Sequence, residues 1–95
     1  MIVISKPKFP IGKLVATPGA LAALTEVGQG PMHFVSRHVV GDWGLCDEHD
    51  QQANEDALRN GDRLFSVYRT AKNMKIWVIT ESDRSSTYVL LPEEY

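Results

Sequence analysis

The chain has one cysteine, Cys46, so it holds no internal disulfide and suits a reducing compartment. It has no basic surplus: 10 Lys and Arg stand against 12 Asp and Glu, a formal net charge of −2. Proteins that grip nucleic acid chiefly through phosphates carry such a surplus, so a nucleic-acid site here is confined to a local patch. Long apolar runs are also missing. Met1-Ile2-Val3-Ile4 starts one, but Ser5-Lys6-Pro7-Lys8 ends it, far short of a signal segment or membrane span. These absences lead us to expect a cytoplasmic protein that makes no use of a membrane. No Gly-rich phosphate loop, GxSxG, CxxC or HExxH is present, and no repeat, linker or low-complexity run.

What is present is one domain's worth of chain. The 95 residues are 43% hydrophobic, enough for a real core without metal or disulfide staples. The stretch from Arg63 to Pro92 organises the rest. It reads RLFSVYRT, AKNM, KIWVIT, ESDRS, STYVLLP, a consecutive antiparallel meander. Adjacent apolar pairs (Leu64 and Phe65, Ile76 and Trp77, Val89 and Leu90) read as strands covered on both faces or central, which makes Trp77 a core residue.

Upstream, Met1 to Ser5 reads as a short strand or an arm, and Lys13 to Ala16 as a second extended piece. Thr17-Pro18 starts a helix that Gly28 stops, with Ala20, Leu21, Leu24 and Val27 at helical spacing. Gly30-Pro31 opens a second helix with Phe34, Val35, His38 and Val39 on one face, ended by Gly41. Gly41-Asp42-Trp43-Gly44 is a tight loop with Trp43 as its anchor. Asp47 begins a third helix, with Ala53, Ala57 and Leu58 as its narrow apolar stripe and Gly61 as its cap.

Two constellations carry chemistry. Arg63, Arg69, Glu81, Asp83, Arg84 and Thr87 fall near strand ends, where two arginines and a carboxylate can bind a phosphate and move a proton. The competing reading is a surface ion-pair cluster with Asp83 shaping an Asx-turn. His38 reads either as a general acid or base or as a core histidine bonded to a carbonyl. Arg37 and Trp43 join Asp83, Arg84 and Thr87 as candidate binding residues. His38, Asp42, Cys46, His49 and Asp50 offer only a weak ligand pattern, so neither a metal nor another cofactor is expected.

Asn60-Gly61-Asp62-Arg63-Leu64, Ile76-Trp77 and Thr80 to Thr87 resemble the C-terminal sheet of barnase-type ribonucleases, over about a third of the chain. Arg63 falls where that family has a phosphate-binding arginine, Arg84 where it has the general-acid histidine, and Ser85 where it has an active-site tyrosine. The resemblance implies helices before an antiparallel sheet. Ala16 to Leu21, Ser36-Arg37-His38, Gly41 to Gly44, Ile79 to Thr87 and Leu90 to Tyr95 resemble a family of short uncharacterised bacterial proteins carried on plasmids and integrating elements. That resemblance implies a genetic setting and no activity.

The expected fold is α+β, with N-terminal helices packed on a C-terminal antiparallel β-meander. The first functional reading is a non-catalytic accessory protein of a mobile element that binds a protein or protein–nucleic acid partner. The second is a small ribonuclease or toxin acting on RNA through Arg63, Glu81, Arg84 and His38.

Overall fold

The computed structural model describes residues 6–95, so the strand or arm expected at Met1 to Ser5 lies outside the described residues. Strand β1 (Lys13–Ala16) leads into α1 (Pro18–Glu26), α2 (Met32–His38) and α3 (Glu48–Asn60). Strands β2 (Leu64–Arg69), β3 (Lys75–Thr80) and β4 (Ser86–Leu90) follow, and a 3-10 turn (Pro92–Glu94) ends the chain. Local chemistry sets the helix borders. The Thr17 hydroxyl accepts from the Ala20 N–H at the start of α1, and the Asp47 carboxylate accepts from the Asp50 N–H at the start of α3. Gly61 closes α3 in the left-handed region at φ 75°.

The fold is α+β, but the sheet is mixed and the chain does not run from helices to meander. β2, β3 and β4 form the expected antiparallel meander; β1 comes before every helix and joins β4 in parallel, giving the order β1-β4-β3-β2. Gly12 permits this pairing. It sits at φ +63°, and a Cβ there would lie 2.3 Å from the Ser85 carbonyl oxygen. Without one, the chain comes close enough for the Lys13 N–H to donate to that oxygen at 2.9 Å.

The helices α1 and α2 cover one face of the sheet. Ala20, Ala23, Leu24, Phe34 and Val35 pack on Tyr68, Ile76, Val78 and Val89. Phe34 stacks on Tyr68 at 4.9 Å between centroids. A second cluster joins Phe9, Trp43, Cys46, Ala57 and Leu64. Trp43 is buried and its indole N–H donates to Glu55, so the loop anchor is present as expected.

The third helix departs from its expected stripe. Ala53 is exposed and Asn54 is buried. Asn54 donates to the Phe65 carbonyl at 2.7 Å and accepts from the Phe65 N–H at 2.9 Å, engaging both backbone groups of one residue in the outer strand β2. Gly44 continues this edge protection, with the Leu45 N–H donating to Val67 and the Val67 N–H to Trp43. Among the described residues, no helix is long and apolar enough to cross a membrane.

Gly12→Ala should lower stability to urea by about 2 kcal/mol or more, because it adds left-handed strain to a backbone collision. Gly28→Ala is the control: φ is +70° there, but nothing lies within 4 Å of the added Cβ. Equal losses at the two positions would show that β1 does not depend on the close approach.

Candidate functional site

The sheet's two faces divide the candidate residues. On the helix-covered side, His38 is fully buried and lies in a chain of hydrogen bonds. Thr87 donates its single hydroxyl proton to the Ile11 carbonyl at 2.8 Å. Thr80, 2.8 Å from Thr87, must therefore donate to it, and the Thr80 oxygen then accepts from His38 Nε2 at 2.9 Å. His38 Nδ1 is left as an acceptor, and the Ser66 hydroxyl donates to it at 2.5 Å. The ring is thus the neutral Nε2–H tautomer with both nitrogens used. Burial, aided by the positive charge of Arg84, pushes its pKa down to about 4. The partners are hydroxyls, where a backbone carbonyl was expected.

Arg84 has a separate role. Its guanidinium donates to the carbonyls of Ala57 in the last turn of α3 and Asp62 just beyond it, and to Glu81 and Ser82 in its own turn. The Ala57 carbonyl already accepts from the Gly61 and Asp62 N–H groups, so Arg84 adds a further donor and ties its hairpin to the end of α3. It also lies over the Phe9 ring, whose edge meets His38 at 5.2 Å between centroids. Asp83 accepts from the Ser85 N–H, the Asx-turn geometry. Arg37 pairs with Asp42 at 2.7 Å and lies over the Tyr68 ring. The hydrogen bond from Arg37 holds the Asp42 carboxyl below its usual range.

Arg63 and Glu81 lie on the opposite face, 3.7 Å apart. The structure therefore brings together two of the four residues of the catalytic reading. His38 is under the helices, and Arg84 is bonded to the end of α3. Cys46 is buried and donates to Phe65, and burial pushes its thiol pKa up. Asp47, His49 and Asp50 are the clustered ligand-type groups among the described residues, and all three are exposed.

This opposite face is open in part: Ile79 and Leu90 are buried, while Phe65, Val67, Trp77 and Tyr88 are half-buried. Cross-strand register places Val67, Trp77 and Leu90 in one row and Phe65, Ile79 and Tyr88 in the next. The reading of Trp77 as core is corrected here. β3 is an interior strand, but alternation sends Ile76 and Val78 under the helices and leaves Trp77 partly exposed. Its neighbours there are Phe65 at 4.8 Å and Tyr95 at 5.6 Å. Arg63 donates to the Tyr95 hydroxyl at 3.1 Å and lies over its ring. Glu94 fixes this arrangement: its carboxylate accepts from the Thr17 hydroxyl and the Gly19 N–H at the start of α1, and from the Leu91 N–H. Those donors hold its pKa below the usual range.

Sequence reasoning missed Ser66, Thr80 and Tyr95. A signal for Ser66 existed, because Leu64, Ser66 and Tyr68 share one parity and a hydroxyl on a buried face must find a partner. Comparison with protein-family models, with curated proteins and with solved structures finds no match.

The His38 environment predicts an acid-side loss of stability. The unfolded chain protonates this ring near 6.5 and the folded one near 4, so unfolding takes up a proton between those values. Stability should fall by roughly 3 kcal/mol from this group as pH drops through that window, and level off below it. Urea unfolding of the wild type against a folded His38→Gln variant isolates the component. Parallel pH curves for the two proteins would show that His38 is not held neutral.

Proposed function

We propose that this chain is a non-catalytic module that binds a protein or nucleoprotein partner through the open face of its sheet. One observation carries the reading: Trp77 stands partly exposed between Phe65 and Tyr95, with Arg63 over Tyr95. Aromatic and arginine side chains supply the largest share of binding energy in protein interfaces. A role as an accessory protein of a mobile element rests on the resemblance of Ala16 to Leu21, Gly41 to Gly44 and Ile79 to Thr87 described above.

The Arg63–Glu81 pair supports a second reading, a ribonuclease, since it places a phosphate-binding cation beside a carboxylate base. Protonating the leaving 5′-oxygen needs a second titrating group at the same face. The histidine expected to serve, His38, is buried with both nitrogens engaged.

Two measurements test the reading together. A photo-crosslinking residue, p-benzoylphenylalanine, in place of Trp77 should form macromolecular adducts in the producing cell. The same residue in place of Thr25, exposed on α1, should not. Purified protein should leave single-stranded RNA intact from about pH 5 to pH 9, where carboxylates and imidazoles cover both acid and base roles. Adducts from Thr25 alone, or cleavage that is lost in a folded Arg63→Ala variant, would overturn the proposal.

A further inference from the structure

The open face contains a groove of about 480 Å³ floored by Phe65, Val67 and Trp77, with the exposed Leu45 at its side. Arg69 and Lys75 line it from the hairpin end of β2 and β3. They are direct cross-strand partners in the antiparallel register. Like charges placed opposite each other destabilise a sheet. Among the described residues, neither has a carboxylate within ion-pair distance. Among the described residues, Arg69 donates to the side-chain and main-chain oxygens of Asn73. The remaining charges of the groove are Asp47 and Asp50, from the start of α3.

From this arrangement we infer that the groove binds an extended peptide segment of a partner protein. An apolar or aromatic anchor lies on Trp77 between an acidic residue, which meets Arg69 and Lys75, and a basic residue, which meets Asp47 and Asp50. The inference rests on the docking-face reading above and names the partner's chemistry. An unpaired cation pair beside an apolar floor asks for an anion joined to an apolar group. The carboxylates on the α3 side repel a polyanion and attract a cation, which favours a peptide over a nucleic-acid strand. The like-charge pair is then a stability cost that the bound acidic residue relieves.

The probe is a phage-displayed library of random linear peptides selected on the wild-type protein, with oligo(dT) and oligo(rU) tested in parallel. Selected sequences should share an acidic–apolar–basic order. A synthetic consensus peptide should bind Lys75→Glu about tenfold more weakly, the loss of one close charge pair. The same variant should melt at a higher temperature than wild type, because the cross-strand repulsion is gone. Changing the acidic residue of the peptide to lysine should restore binding to Lys75→Glu. Five outcomes overturn the inference. Peptides that need Trp77 but show no charge order would sink it while leaving the docking face in place. So would oligonucleotide binding that is lost in a folded Trp77→Ser variant, or self-association of the wild type lost in that variant. A Lys75→Glu protein that melts lower and binds unchanged would sink it as well. Failure of every probe would overturn it too, leaving the docking face to be decided by the crosslinks at position 77.

Discussion

A string of side-chain hydroxyls and one imidazole ties five parts of the fold together. It runs from the Ile11 carbonyl through Thr87 and Thr80 to His38, and on to Ser66. The link before β1, strands β4, β3 and β2, and helix α2 each contribute a member. Thr87, Thr80, His38 and Ser66 are all buried, so an unpaired member would lose its hydration with nothing in return. The direction of donation is fixed at one end by the carbonyl, which can only accept. That constraint sets the tautomer of His38 and makes the ring a structural cross-link.

The same constraint divides the molecule into a closed side and an open one. With His38 engaged and Arg84 bonded to carbonyls at and just beyond the end of α3, two residues with catalytic potential are committed to structure. The outer strand β2 is protected by Asn54 and by the backbone around Gly44. The C-terminal turn is pinned to the start of α1 through Glu94, which places Tyr95 over Trp77. These commitments leave the row of aromatic and charged residues on the other face as the part of the surface that the fold does not consume.

Much of the fold was legible because it is written in local chemistry. Thr17-Pro18, Asp47 and Gly61 announce helix ends through hydrogen bonds and backbone angles that act over a few residues. The parallel seating of β1 was not legible, since it joins residues more than 70 positions apart through the close approach at Gly12. Trp77 was misread because Ile76 and Trp77 are both apolar, and composition alone does not say which face of a strand is covered. Arg84 resembled a phosphate ligand in a charged turn; its actual partners are backbone carbonyls, two in its own turn and two at and just beyond the end of α3, which sequence proximity does not link to it. Arg63 and Glu81 fall at neighbouring strand ends and lie 3.7 Å apart, but Thr87, expected beside them, is buried under the helices, because the next strand turns that residue to the other face.

The account's central claim is that His38 belongs to the framework and is out of reach of chemistry. Nitrogen-15 NMR of the imidazole rings tests it most directly. It predicts for His38 a neutral Nε2–H ring from about pH 7 down to about pH 5, with slow solvent exchange of that proton. A His38 ring in the Nδ1–H form, or one that gains a proton near the ordinary histidine value and exchanges freely, would contradict it. Either result would return His38 to the list of groups able to move a proton.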